Sequence, residues 1–308
     1  MNSSRILVTP RSVTQHGHSA LQKLRDAGWE VVFCTPGRQP DEEELIRLLP
    51  GCVGYLAGVE KITARVLAGA AGLRVISRNG TGVDNVDTAA ARARGIVVCR
   101  AEGANARGVA ELAIGLMLAL ARAIPASDRA IKAGRWDRQT GFELEGKTLG
   151  LIGCGRIGRL VAKMAAGLDL RVVAYDVAPA TDMAMAPLEE VFAMADVISL
   201  HCPAGEKPVV DAAALAQMRR GTLLINTARA GLLDEAAVLA ALESGQLGGL
   251  ASDVLAGEPP ANRRLAEHPR VIVMPHAGGL TRESVDRAVT VAVVNLLDAL
   301  AQERKEHA

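Results

Sequence analysis

The sequence predicts an α/β protein built from two doubly wound parallel-sheet domains. Three observations predict it: short β-rich runs alternate with amphipathic helical stretches, the alternation pauses once and restarts, and the longest apolar run, at 112–121, is short. The first set of runs is RILVT (5–9), EVVFC (30–34), CVGYL (52–56), LRVIS (73–77) and GIVVC (95–99). Helical stretches separate them, such as 18–28, with Gly28 at a C-cap position, and 62–70, where Thr63 can cap the start. The second set holds six runs: TLGLIG (148–153), LRVVAYD (170–176), DVISLHC (196–202), GTLLINT (221–227), LGGLASDV (247–254) and RVIVMPH (270–276).

Between the sets lies 105–123, apolar on nearly all faces. Such a helix must be buried, either as the central helix of a domain or at the interface of a symmetric dimer. The last segment, 281–303, is a long amphipathic helix that can fold back on the first sheet. The first domain is then discontinuous, 1–103 with 283–308, and encloses a second domain at 104–282.

Composition narrows the function. The 308 residues are 49% hydrophobic, enough for two cores, and 35 Lys plus Arg balance 34 Asp plus Glu at a net charge of +1. No global field draws the chain to nucleic acid or an anionic membrane, and 2% aromatic residues leave little to stack on bases. A ten-residue apolar run falls short of the roughly 20 residues needed to span a bilayer. The N-terminus lacks the pattern of a signal peptide. Five cysteines form an odd set without paired metal spacing, which predicts reduced thiols in a cytoplasm and no metal site. A small-molecule partner is expected.

The strand at 148–152 runs into G-C-G-R-I-G, with Gly153, Gly155 and Gly158, and a helical pattern follows. Gly153 permits a tight turn, Gly155 lets the backbone approach a pyrophosphate, and Gly158 lets helix and strand pack closely. The N–H groups of Arg156 and Ile157 then point at phosphates from the positive end of the helix dipole. The next strand ends in Asp176, whose carboxylate can accept the two ribose hydroxyls of an adenosine and would repel a 2′-phosphate. Val177, Ala178, Pro179 and Ala180 supply no cation for such a phosphate, so NAD is favoured over NADP. Cys154, between two of the glycines, reads as a small loop residue or as a thiol activated by helix-end N–H groups.

Three chemical groups stand at the ends of later strands, where open α/β sheets place their sites: Arg229, Glu258 and His276. A guanidinium can hold a substrate carboxylate bidentately and polarise an adjacent oxo group. An imidazole can move the proton of a secondary alcohol, and a carboxylate can orient it. With a nicotinamide as hydride carrier, these are the parts of a dehydrogenase that needs no metal.

At these residues the chain resembles the D-isomer-specific 2-hydroxyacid dehydrogenases. The resemblance rests on GTGVDNVD (80–87), 105–122, GCGRIG followed by YD, SLHCP (199–203), NTARAGLLDE (226–235), DVLAGEP (253–259) and PHAGG (275–279), and it covers nearly the whole chain. It implies a Rossmann cofactor domain inserted in a flavodoxin-like substrate domain. It also implies NAD-dependent interconversion of a small D-2-hydroxy acid and its 2-oxo acid; the homodimer is expected from the apolar helix at 105–123. Arg229, Glu258 and His276 become the catalytic residues, His276 as acid/base. Cofactor contacts carry over to Gly153, Gly155, Arg156, Ile157, Gly158, Asp176, His201, Pro203, Thr227, Ala228, Asp253 (to the carboxamide), Ala277, Gly278 and Gly279. Backbone N–H groups of Gly80, Thr81 and Gly82, with Arg229, would hold the substrate carboxylate; a tight turn explains the two glycines equally.

The chain departs from the family pattern at Ala230, where many members have Gly, at 204–207, and at Leu56–Lys61. The last segment, beside the substrate in the family, lacks the Arg-Ser of some phosphoglycerate enzymes, which argues against a phosphorylated substrate. Lys61, Arg78 and Arg100 read as anion partners or as solvated loop charges. The short tail after 303 suggests no C-terminal regulatory domain. A non-catalytic NAD-sensing protein of the co-repressor kind remains an alternative, as does the same machinery acting on phosphite or formate.

Overall fold

The computed structural model describes residues 5–178 and 182–306. The chain divides into two compact units, Met1–Asn105 with Leu280–Ala308, and Ala106–Gly279. The junctions fall a few residues from the positions that the strand alternation suggests.

Among the described residues the first unit forms a five-stranded parallel sheet from β1 (Arg5–Val8), β2 (Glu30–Phe33), β3 (Cys52–Ala57), β4 (Val75–Arg78) and β5 (Val97–Arg100). Its order, β2-β1-β3-β4-β5, is that of flavodoxin-like sheets. Side chains alternate across a strand, and the sequence uses both faces. Ile6, Val8, Leu56 and Val75 join one core with Val289, Val293, Leu296 and Leu300 of the closing helix Arg282–Glu306. Leu7, Tyr55 and Ile76 turn to the other core, with Leu45, Val66 and Leu67 of the helices Glu42–Leu48 and Ala64–Ala68. Burial on both faces is why these strands read as continuous apolar runs. Thr63 caps its helix by accepting from Val66 N–H at 3.3 Å, as expected.

The closing helix does return to this sheet. Ser77 Oγ donates to Ala292 O at 2.7 Å and Asn295 Nδ2 to Arg100 O at 2.9 Å. Gly54 allows the close approach: a Cβ there would lie 3.2 Å from Leu296 Cδ1.

The second unit carries β6 (Thr148–Ile152), β7 (Arg171–Tyr175), β8 (Val197–Leu200), β9 (Thr222–Asn226), β10 (Leu247–Ser252) and β11 (Val271–Val273), all paired in parallel in the order β11-β10-β9-β8-β6-β7. Beyond β7, Met185 forms one parallel bridge with Ala174. That bridge occupies the place of the third Rossmann strand, so the sheet has the doubly wound order with one strand reduced to a single pairing. The topological switch lies between β6 and β8, and the glycine turn sits at its carboxyl edge.

The helix Ala106–Ala121 packs on the helix Arg156–Ala166 and on β9 and β10, with Ala110, Ala113, Leu116 and Met117 in the core. One face of the helix fits the reading as a central core helix, while Leu112, Ile114 and Leu118 stay half-buried on it. It stops sooner than the apolar pattern suggests: Ala123 takes φ +49°, and the helix Ile124–Lys132 leaves at 62°. No single helix among the described residues is long and apolar enough to cross a membrane.

Candidate active site

The glycine turn behaves as its residue types require. Gly153 has φ +103°, and a Cβ there would lie 2.6 Å from Cys202 N and His201 C. A Cβ on Gly158 would lie 2.1 Å from Gly153 O, so only glycine lets the helix Arg156–Ala166 start this close to β6. Gly155 is the N-cap, with no side-chain cap and nothing within 4 Å of where its Cβ would be. The start of the helix thus opens on clear space, as a pyrophosphate would need.

Asp176, just past β7, is tied to this turn. Its Oδ2 accepts from Cys154 N–H at 2.6 Å and its Oδ1 from Ala178 N–H at 2.9 Å. Val177 is exposed and uncharged; Pro179 and Ala180 lie outside the described residues. Burial, then the Asp176 carboxylate, pushes the Cys154 thiol up, with Arg159 opposing. Helix-end activation therefore loses to desolvation here, and the small-loop-residue reading of Cys154 prevails.

Across the switch point, His201 follows β8. Its Nε2 lies 2.8 Å from Ser199 Oγ, its Nδ1 is buried without a partner among the described residues, and burial lowers its pKa from 6.5 to about 4. The ring is therefore a neutral prop behind Gly153, and a pH dependence follows. Between pH 6.5 and 4 the unfolded chain takes up a proton that the folded chain refuses, so stability present above about 6.5 falls as pH drops. The full loss is about 3 kcal/mol at 1.36 kcal/mol per pKa unit. Urea midpoints measured from pH 7 to pH 4 should show that fall in the native chain and a shallower one in His201→Gln; parallel curves would refute it. Pro203 is exposed beyond this turn.

Thr227, Ala228 and Arg229 leave β9 on a turn that sequence reasoning did not explain. The fully buried Asn226 holds it: Oδ1 accepts from Ala228 N–H at 3.1 Å and Nδ2 donates to Arg229 O at 2.9 Å. Thr227 Oγ1 is buried without a partner among the described residues. Arg229 Nη1 donates to Ala228 O at 2.8 Å, one of five guanidinium donors.

Asp253, past β10 and 2% exposed, clamps the turn after β11. Its Oδ1 accepts from Ala277 N–H at 2.7 Å, its Oδ2 from Gly278 N–H at 2.8 Å, and its carbonyl from His276 N–H at 3.0 Å. The resemblance assigns Asp253, Ala277 and Gly278 to the cofactor, but here these carboxylate and N–H groups are engaged with one another. The clamp holds His276 at φ +53°, in left-handed backbone rare for a residue with a side chain. Glu258 Oε1 lies 2.7 Å from His276 Nδ1, which leaves Nε2 as the nitrogen with no hydrogen bond among the described residues. A cavity of about 310 Å³ lies beside the pair, lined by Asp253, Leu255, Met274 and Pro275 among others. Arg229, Glu258 and His276 thus come from the carboxyl ends of three adjacent strands, β9, β10 and β11.

In the first unit the turn after β4 holds Gly80, Thr81 and Gly82. Gly80 N–H donates to Arg78 O at 2.9 Å and so is spent within the chain. The N–H groups of Thr81 and Gly82 donate to nothing among the described residues, and Thr81 Oγ1 donates to Asn105 Oδ1 at 2.9 Å. Arg78 is no solvated loop charge. Its Nε donates to Asn85 Oδ1 at 3.2 Å, and a Cβ on Gly80 would lie 2.6 Å from its Nη1. Lys61 and Arg100 are exposed, Arg100 beside Glu102 at 3.9 Å.

The segment Leu56–Lys61 hides a carboxylate whose burial no sequence pattern announces. Glu60 is 1% exposed; its Oε1 accepts from Tyr55 OH at 2.5 Å, from Gly58 N–H at 2.9 Å and from Thr9 Oγ1. Burial and the Glu60 charge drive the Tyr55 phenol well above its ordinary value.

A family model described as the NAD-binding domain of D-isomer specific 2-hydroxyacid dehydrogenases matches residues 114–278, more than half of the chain. D-3-phosphoglycerate dehydrogenase of Rattus norvegicus is 39% identical over 286 residues, covering 89% of this chain and 53% of that protein. The enzyme of that name from Mycobacterium tuberculosis (strain ATCC 25618 / H37Rv) is 39% identical over 275 residues, covering 86% and 52%. The chain spans about half the length of the curated relatives it matches. Among solved structures, the TT0316 protein from Thermus thermophilus superposes with a TM-score of 0.88 at 38% identity, covering 97% of each chain. D-2-hydroxyisocaproate dehydrogenase gives 0.84 at 27% identity, also covering 97% of each. The likeness covers both units, and the chain belongs to the D-isomer specific 2-hydroxyacid dehydrogenase family, with its NAD-binding domain at residues 114–278.

Proposed function

We propose that the protein is an NAD-dependent dehydrogenase that interconverts a small D-2-hydroxy acid and its 2-oxo acid. The observation that carries this reading is the Glu258–His276 pair at 2.7 Å, mounted by the buried Asp253 beside the strand that ends in Arg229. NAD fits the residues present. Gly155 leaves the helix start open, Asp176 stands at the end of β7, and Thr227 Oγ1 and His201 Nδ1 are buried polar atoms still lacking partners among the described residues. When bound, NAD supplies the hydride carrier.

The chain's own residues do the rest. Arg229 binds the substrate carboxylate in a bidentate fork and polarises the 2-oxo group. Glu258 fixes the imidazole through Nδ1, so that Nε2 gives its proton to the carbonyl oxygen during reduction and takes it back during oxidation. The cofactor contacts proposed are Gly153, Gly155, Arg156, Ile157, Gly158, Asp176, His201, Pro203, Thr227, Ala228, Asp253, Ala277, Gly278 and Gly279. Asp253, Ala277 and Gly278 serve first to hold the His276 turn. The N–H groups of Thr81 and Gly82 form an anion-binding loop in the first unit.

An unphosphorylated acid is the preferred substrate, because Glu60 puts a buried carboxylate in the segment that the family sets beside its substrate. The names of the relatives favour a 3-phosphorylated acid, and one assay separates the two. NADH oxidation with glyoxylate, pyruvate, hydroxypyruvate and phosphohydroxypyruvate should be fastest with one of the first three; turnover of phosphohydroxypyruvate alone would reverse the preference.

A homodimer is part of this proposal. Ile124, Ile131 and Trp136 are 54%, 53% and 77% exposed on one short stretch of the second unit. A second copy of the chain is the occupant proposed for this apolar surface. Light scattering should give a dimer for the native chain and a shift toward monomer for Trp136→Lys; an unchanged mass would contradict the assignment. We place the protein in the cytoplasm, a reading supported by five free thiols.

A further inference from the structure

Asp176 is the residue that sequence reasoning credits with choosing NAD over NADP, but a second carboxylate stands beside it. The segment after β7 folds back along that strand: Ala174 N–H donates to Ala184 O at 2.8 Å, Ala186 N–H to Ala174 O at 3.0 Å, and Met185 Sδ comes within 4.0 Å of Cys154 Sγ. This path carries Asp182 to the helix Arg156–Ala166, where its carboxylate pairs with Arg159. The charges of Asp176, Arg159 and Asp182 all reach the Cys154 thiol, and Cys154 N–H is the group that holds Asp176. The Arg159–Asp182 pair therefore stands at the helix that the glycine turn opens.

Arg159 lies one residue past the third glycine, in the first turn of the helix that opens at Gly155. Left unpaired, a guanidinium there would be a ready partner for a phosphate dianion. Its pairing with Asp182 cancels that charge and occupies the fork. The Asp182 carboxyl is accordingly held below its usual range by the bond from Arg159.

We propose that Asp182 is a second cofactor-selectivity residue: by engaging Arg159 it closes a latent 2′-phosphate site beside Asp176. Rejection of NADP is then built from two repulsive elements and one sequestered cation, which is specificity by exclusion as well as by attraction. The inference rests on the NAD-binding reading of the second unit.

The test is direct binding, which needs no substrate. NADH and NADPH affinities are measured by fluorescence titration for the native chain, Asp176→Ser, Asp182→Asn, the double variant, and the double variant with Arg159→Ala. Asp176→Ser should improve NADPH relative to NADH. Asp182→Asn should add about tenfold on that background, the size of one charge-assisted hydrogen bond, and Arg159→Ala should remove the addition. NADH binding retained by Asp182→Asn reports an intact fold. An addition of no more than about twofold, or one that survives Arg159→Ala, overturns the proposal while leaving NAD binding standing. A native chain that binds neither dinucleotide overturns both.

Discussion

His276→Ala should lower kcat for 2-oxo acid reduction by about 10²- to 10⁴-fold while leaving NADH affinity nearly unchanged, the range that a positioned general acid supplies. Nε2 is the ring nitrogen left open once Glu258 engages Nδ1, and it has no replacement among the groups lining the neighbouring cavity. Glu258 is itself a carboxylate that serves the ring, and Asp253 turns both oxygens to backbone N–H groups. Because Asp253 accepts from backbone N–H groups and not from the imidazole, the truncation should leave the turn in place. Steady-state rates paired with NADH titration separate the two effects. Near-native kcat in the variant would remove His276 from the chemistry, and Glu258→Gln should fall between the two because it keeps a hydrogen bond but loses the charge that supports a protonated ring.

Arg229→Ala should cost about 10²- to 10⁴-fold in kcat/KM, since it deletes two charge-assisted hydrogen bonds worth roughly 1.5–3 kcal/mol each. Arg229→Lys should recover only part of this. A lysine keeps the charge but is a point donor, without the planar fork that binds a carboxylate and an adjacent oxo oxygen together. Asn226 grips the Arg229 carbonyl and the Ala228 N–H, so the backbone that aims the side chain survives both substitutions. Kinetics with glyoxylate, the simplest 2-oxo acid, isolate the effect because nothing beyond the carboxylate and the oxo group is left to bind. Equal kcat/KM for the lysine variant and the native chain would show that charge alone suffices.

How much of this was legible in the sequence follows from the range of the interactions. Period and length mark the eleven strands of the described residues: burial on both faces writes the central ones, such as β3, β8 and β9, as apolar runs, and the six runs of the second set correspond to β6–β11. The glycine turn was legible because Gly153 and Gly158 answer to backbone contacts that no other residue survives. The reduced third Rossmann strand was not, since Met185 lies in a stretch without β-branched residues and pairs through a single bridge. Nor was the early stop of the helix Ala106–Ala121, where apolar pattern continues but Ala123 turns left-handed just before Pro125.

In the site, strand-end Arg, Glu and His could be picked out by chemistry, whereas the residues that aim them could not. Asn226 and Asp253 act through bonds to backbone N–H and C=O groups, which nearly every residue bears equally, so the sequence holds no mark of the partner. The resemblance gives Asp253 a contact to the carboxamide, and its hold on the Ala277 and Gly278 N–H groups is a second task that the sequence does not mark. Glu60 is the opposite case: an acid that looks solvated becomes buried because Thr9, Tyr55 and Gly58 converge on it from the end of β1, from β3 and from the loop after it.

The configuration of the product tests the central claim most directly. A prochiral 2-oxo acid such as pyruvate or hydroxypyruvate is reduced with NADH by the native chain, and the hydroxy acid is resolved by chiral chromatography. The D acid alone is expected, in amounts equal to the NADH consumed. The L acid, a racemate, or NADH consumed without any hydroxy acid would contradict a D-specific 2-hydroxyacid dehydrogenase.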